Sequence, residues 1–175
     1  MNASNLTEKI FTNRFSLRPL KIDDVVERYA RWLSDQATSK YISATLSLSE
    51  LRQYVHDRCD RDDVLFFGIF DKATGLHIGN IKYEPVNSEL RYAIMGILIG
   101  EAEWRGKGVA AEVLSASADW LHRYRNIERI VLGVSRSNVA AIRAYQKVGF
   151  VEEFSVHIPN VSAENLTMVL HIKTL

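Results

Sequence analysis

The stretch Tyr92-Ala93-Ile94-Met95-Gly96-Ile97-Leu98-Ile99-Gly100-Glu101-Ala102-Glu103-Trp104-Arg105-Gly106-Lys107-Gly108-Val109-Ala110-Ala111 decides the fold. An apolar run, Tyr92 to Ile99, leads into glycines, and an amphipathic pattern leads out. That order reads as strand, glycine-rich turn, helix. Such a turn aims several backbone N–H groups at one spot, at the positive end of a helix dipole, and a spot of that kind holds phosphate. The first expectation is a phosphate-bearing cofactor gripped mostly by backbone.

The whole chain limits what surrounds this stretch. Its 175 residues suit one domain spanning 1–175, with length for a single core. A net charge of +1 gives no electrostatic case for nucleic acid or an anionic membrane surface. The one cysteine, Cys59, precludes an internal disulfide and fits a reducing, cytoplasmic setting. It reads as a small buried hydrophobe. The start shows no unbroken apolar core of a signal peptide, and no run reaches membrane-spanning length.

Taken in order, Met1 to Glu8 reads as loose. Phe15, Leu17 and Leu20 alternate with polar residues in a strand closed by Pro19. Asp23-Asp24 opens a helix with Val25, Val26, Tyr29, Trp32 and Leu33 as its apolar stripe. Ser34 to Ala44 is a polar connection carrying Tyr41 and Ile42. Ser47-Leu48-Ser49-Glu50 is a capping box for a helix reaching about Cys59. Val64 to Phe70 and His77 to Tyr83 form a hairpin about Asp71 to Gly75, the second strand closed by Pro85 and Asn87. After the strand Arg91 to Ile99 come a helix from Gly108 to Tyr124, a strand from Arg129 to Val134 and a helix from Asn138 to Lys147 ended by Gly149. Phe150 to Ile158 and Leu166 to Ile172 read as strands joined by a turn at Pro159-Asn160. Hairpins followed by strand-helix repeats predict an α/β class with a mixed sheet.

Gly106-Lys107-Gly108-Val109-Ala110-Ala111 also fits the looser dinucleotide fingerprint. That reading fails because the motif comes late and the link from Ile99 is long. The next strand also ends at Ser135-Arg136, where a ribose-binding acid belongs. No ATP-type phosphate loop is present. The five histidines show no metal-ligand spacing, and neither His-Glu-x-x-His nor Gly-x-Ser-x-Gly occurs, so no metal site is expected.

Two signatures together go further. Arg105-Gly106-Lys107-Gly108-Val109-Ala110 matches Arg/Gln-x-x-Gly-x-Gly/Ala. The second is Asn138-Val139-Ala140-Ala141-Ile142-Arg143-Ala144-Tyr145-Gln146-Lys147-Val148-Gly149-Phe150. The pair resembles the GNAT superfamily of acyl-CoA-dependent N-acetyltransferases, over about Arg14 to Leu170. Thr12 to Leu20, Trp32 to Asp35, His77 to Ile81 and Gly96 to Gly100 are similar to its RimJ/RimL-like branch. The resemblance implies a central, mostly antiparallel sheet, splayed at the cofactor site and flanked by helices. It implies acetyl-CoA as co-substrate, with Arg105, Gly106, Lys107, Gly108, Val109 and Ala110 cradling its pyrophosphate. Arg105 and Lys107 would add charge there. Ile97, Leu98 and Ile99 would pair with the pantetheine arm in a strand-like way. Asn138 would hydrogen-bond the coenzyme, and Tyr145 would act as general acid to the leaving thiolate. An N–H near Leu98 or Ile99 would serve the oxyanion.

The general base stays open. Branch members resemble Ala-Glu-x-Gly at the central strand, whereas this chain reads Ala93-Ile94-Met95-Gly96. Glu84, Glu89 and Glu101 read as solvated loop acids. Tyr83 and Tyr92 either line an acceptor pocket or pack. A water chain, or an acceptor of low amine pKa, needs no dedicated base. The expected reaction is direct attack by a primary amine, on a protein N-terminus, a nucleotide-linked amino sugar, or a small amine or antibiotic. The alternative from another class is a non-catalytic acyl-CoA-binding module, favoured by Ile94 and opposed by Asn138 and Tyr145. A homodimer through an exposed last strand completes the expectations.

Overall fold

Alternating apolar residues build one eight-stranded sheet, seen in a computed structural model that describes residues 9–40, 46–158 and 161–172. The readings of Met1 to Glu8, of Tyr41 and Ile42, and of the Pro159-Asn160 turn lie outside those residues. The strands are β1 (Ile10–Phe11), β2 (Phe15–Pro19), β3 (Leu65–Asp71), β4 (His77–Asn87), β5 (Tyr92–Ile99), β6 (Arg129–Ser135), β7 (Val151–Glu152) and β8 (Asn165–His171). Their order across the sheet is β1-β2-β3-β4-β5-β6-β8-β7. Every neighbouring pair is antiparallel except β5 with β6.

The helices α1 (Glu27–Ser34), α2 (Gln36–Ser39), α3 (Leu48–Cys59), α4 (Val109–Arg125) and α5 (Val139–Val148) complete the architecture. The period-two alternation of strands divides the core. On β3, Leu65, Phe67 and Ile69 join one cluster with Val113, Leu114 and Leu121 of α4. Phe66 joins the other, with Tyr29, Trp32, Leu51 and Val55 of α1 and α3. Leu114 and Leu121 are fully buried, and each such side chain contributes roughly 1.5–3 kcal/mol. The capping box forms as read: Ser47 Oγ accepts from the Glu50 N–H, and the Glu50 carboxylate accepts from the Ser47 N–H.

Four expectations need correction. Asp23-Asp24 lies in a 3-10 turn, Ile22–Asp24, and α1 begins at Glu27. The Asp24 carboxylate is spent on Arg18 and the Lys21 N–H, and Val26 is left exposed. Strand β4 runs past Pro85 to Asn87, because a register shift between Tyr83 and Val86 accommodates a residue with no N–H. The strand read to Ile158 stops at Glu152, and Phe154 and Val156 are exposed with no sheet face to cover. The last strand is not a free edge: β8 lies between β6 and β7.

The splay follows from register. β5 and β6 pair only at Tyr92↔Arg129, Ala93↔Ile130 and Ile94↔Val131. Beyond that, β6 pairs with β8 as far as Ser135↔Asn165, and β5 pairs with β4 as far as Ile99. Met95 to Ile99 therefore face no strand on their second side, and a gap opens between β5 and β6.

Candidate active site

The glycine turn is shaped by left-handed backbone at two positions. Gly106 has φ 72° and Gly108 has φ 75°, a region that costs other residues about 1–2 kcal/mol. The first bond inside α4 runs from the Glu112 N–H to Gly108 O, at 3.2 Å. Among the described residues, the N–H groups of Gly106 through Ala111 find no partner in the chain. They converge at the positive end of α4, as an anion site requires. The Arg105 N–H is not part of this set, since it donates to Ala102 O.

The first hairpin holds the turn in place. Thr12 Oγ1, the Arg14 N–H and Arg14 Nε all donate to the Glu112 carboxylate, at 2.6 to 2.8 Å. Arg14 Nη2 donates to Lys107 O at 3.0 Å. Burial pulls the Glu112 carboxyl up, but these donors outweigh it and leave the group below the usual range.

A cleft of about 510 Å³ runs from this turn along the unpaired end of β5 to α5. Ile97, Leu98, Ile99, Arg105, Gly106, Gly108, Val109, Ala110, Asn138 and Tyr145 all line it. Lys107 does not, and its ammonium lies 5.8 Å from the Trp104 ring centroid. The Arg105 side chain is already committed. Its Nη1 meets Asp35 at 2.6 Å, and its other nitrogens donate to Ile99 O and Gly100 O. It ties α2 and the end of β5 together instead of lending charge to a phosphate, which corrects that expectation.

Asn138 caps α5, its Oδ1 accepting from the Ala141 N–H at 3.3 Å, and the residue lines the cleft. Helix α5 ends at Gly149 with φ 108°, so Tyr145 sits in its last turn. Tyr145 packs 5.8 Å from the Phe150 ring. Burial pushes its phenol up to about 12. The hydroxyl is therefore protonated at neutral pH, has no protein partner among the described residues, and is free to donate into the cleft.

No described carboxylate is free to serve as base at this gap. Ile94 pairs with Val131 where β5 leaves β6. Glu84 is no loop acid: it sits in β4 and accepts from Arg58, Arg61 and Lys82. Glu101 accepts from Trp32 Nε1 and pairs with Arg28. Glu89 is exposed in a turn. Tyr83 lines no pocket, since it is fully buried and hydrogen-bonded to Ser117 Oγ at 2.7 Å. Tyr92 stacks on His157, ring centroids 3.5 Å apart. Cys59 is exposed as a residue, contrary to expectation. Its half-covered thiol donates to Leu20 O, and burial there raises its pKa.

The sequence reading missed several cleft residues. Arg143 and Lys147 line it from α5, and their spacing, one helical turn apart, was the available signal. Thr38 on α2 and the Arg14 clamp had none. Among the described residues, no group of three His, Cys, Asp or Glu side chains is placed for a metal, and no helix is long and apolar enough to cross a membrane.

Comparison with known proteins agrees with this geometry. A family model described as an acetyltransferase (GNAT) domain matches residues 14–151. Spermidine N(1)-acetyltransferase of Escherichia coli is 28% identical over 144 residues, covering 78% of this chain and 73% of the relative. The solved spermidine N-acetyltransferase from Vibrio cholerae, in complex with CoA and spermine, superposes with a TM-score of 0.76 at 23% identity. That match covers 90% of this chain and 95% of the other. RimL in complex with coenzyme A superposes at 0.79 and 16% identity, over 94% of this chain and 98% of that one. At these identities the two structures show likeness of fold.

Proposed function

Because this chain belongs to the GNAT acetyltransferase family, and so is an N-acetyltransferase that draws on acetyl-CoA, we propose that its acceptor is a primary amine that attacks directly. The parting of β5 from β6 after Ile94, beside the unpaired amides of the glycine turn, carries this reading. The cleft suits a long, thin ligand with an anionic end. The amides of Gly106 to Ala110 hold the pyrophosphate. The second side of Ile97, Leu98 and Ile99 offers backbone groups to the pantetheine amides, as a sheet edge does to an added strand. Asn138 orients the coenzyme, and Arg143 and Lys147 supply the positive charge that Arg105 does not.

Acetyl-CoA brings an activated acyl carbon and a thiol leaving group. The chain positions them and stabilises the charge that develops. A backbone N–H near Leu98 or Ile99 faces the oxyanion. Tyr145 donates to the departing sulfur. With Ile94 in place of an acid, the proton of the amine leaves through water. An intact Tyr145 above an open cleft speaks against a module that only binds acyl-CoA.

The Thr12 to Leu20 opening and the likeness of fold to RimL support the RimJ/RimL-like branch. The curated relative named for spermidine supports a small-molecule amine, while the RimL likeness keeps a peptide N-terminus in view. We assign the enzyme to the cytoplasm on its single, unpaired cysteine.

Thermal unfolding with acetyl-CoA, free CoA or NAD at saturation tests the site. A ligand at about a hundred times its Kd adds about 2.7 kcal/mol, roughly 5–10 °C for a chain of this size. The expected result is a rise with both CoA forms and none with NAD, followed by amine-dependent thiol release. No shift with either CoA form refutes the proposal.

A further inference from the structure

Because β5 and β6 stop pairing after Ile94, the gap interrupts the sheet itself and so presents two faces. Tyr145 and the glycine turn occupy the side of the sheet covered by α4 and α5, which leaves the other face for an incoming amine. There two positions of the floor, between Ile94 and Leu98 on β5 and beside Val131 on β6, carry no side chain. Gly96 on β5 and Gly133 on β6 are both exposed; a Cβ on Gly96 would meet nothing within 4 Å, and one on Gly133 would reach Ile158 Cδ1 at 4.0 Å. Alternation fixes their face: Leu98 packs with the α1 and α3 cluster, while Leu132 and Val134 pack with α4.

Lys82 stands beside this floor. It is the cross-strand partner of Gly96, about 5 Å away at the usual strand spacing. Its Nζ donates to Tyr54 Oη at 2.7 Å and to Glu84 Oε2 at 2.6 Å. An ammonium has three N–H groups, so one is unspent among the described residues. Arg58 lies alongside, stacked 3.6 Å over the Tyr54 ring. Its Nε donates to Glu84 and its Nη1 to Tyr54 O, which leaves Nη2 without a partner. Arg61 takes the other Glu84 oxygen and pairs with Asp63. Three cations thus share two carboxylates, and Glu84, which is largely buried, already accepts from all three of them. Ile94 adds no acid.

Resting on the N-acetyltransferase reading above, we infer that the acceptor carries a carboxylate or phosphate close to its reacting amine, and that Lys82 and Arg58 receive that anion. The unspent N–H groups select for an acceptor group that is negative. A polyamine instead brings a second ammonium against Lys82 and Arg58, with no free carboxylate to meet it.

The test is a set of matched amines at saturating acetyl-CoA, read by thiol release: β-alanine against β-alaninamide, O-phosphoethanolamine against ethanolamine, and spermidine as the polycation. In at least one pair the anionic member is expected to exceed its neutral partner, and spermidine, by about tenfold or more in kcat/KM, the size of one hydrogen bond to a charged group. Which pair responds names the anion. The advantage shrinks with added salt and collapses in Lys82→Gln, whose fold is checked by its acetyl-CoA thermal shift. If that variant does not fold, the wild-type pairs decide. Equal rates within both pairs, or a preference for spermidine, overturn the inference and leave the N-acetyltransferase reading standing. Thiol release with none of the five amines, while acetyl-CoA still binds, overturns the inference, and release with a peptide amine then decides the N-acetyltransferase reading by itself.

Discussion

Replacing Tyr145 with phenylalanine removes one hydroxyl from the cleft and keeps the ring that packs on Phe150. Because that hydroxyl has no protein partner among the described residues, folding stability should stay within about 0.5 kcal/mol. The effect on rate follows from the phenol's pKa of about 12. A thiol titrates near 8.5, so full transfer of the phenolic proton to the leaving sulfur is uphill by about 3.5 units, close to 5 kcal/mol. Tyr145 therefore helps by a charge-assisted hydrogen bond rather than by complete protonation. Such a bond is worth about 1.5–3 kcal/mol, so kcat should fall roughly 10- to 150-fold, short of the losses seen when a true proton donor goes. The assay is thiol release at saturating acetyl-CoA across pH. The phenol is protonated throughout the working range, so the ratio of wild-type to variant rates should be flat from about pH 6 to 10. An unchanged kcat, or a change confined to the KM for acetyl-CoA, would refute the assignment.

Three further outcomes follow from the same geometry. Gly106→Ala forces a side chain to adopt φ 72°; it should lower stability by about 1–2 kcal/mol and raise the KM for acetyl-CoA more than it lowers kcat. Gly100→Ala drives a Cβ into the Trp32 indole, which is held by Glu101; chemical denaturation should show a loss of about 1–3 kcal/mol. Glu112→Gln weakens the hairpin clamp and should lower acetyl-CoA affinity. Since the folded Glu112 carboxyl titrates below its unfolded value, its stabilisation is fully present above about pH 4.3 and is lost as pH falls through the lower folded value. Acid unfolding of the variant should lack that contribution.

Much of the site was legible because its chemistry is local. The glycines that set the turn, the asparagine that caps α5 and the glycine that ends it act on neighbours within a few residues. The fold class was legible because period-two and period-3.6 patterns alternate along the chain. What stayed hidden depends on distant partners. The clamp joins Arg14 to Glu112 across 98 positions, and nothing near either residue announces it. Arg105 sits inside a phosphate-binding motif yet turns toward Asp35, 70 positions away. The apolar residues after Glu152 suggested a strand, but the ladder with β8 ends at Glu152↔Met168, and Phe154 and Val156 stay exposed.

The short ladder between β5 and β6 also shapes the clock on which backbone amides trade hydrogen for deuterium. Met95 to Ile99 are paired on the β4 side and bare on the other, and successive residues of a strand point opposite ways. Without ligand, slow and fast exchange should therefore alternate along this one strand of an otherwise protected sheet. When the pantetheine arm occupies the gap, the fast positions slow and the alternation disappears. The trace then records the co-substrate as though it were a ninth strand.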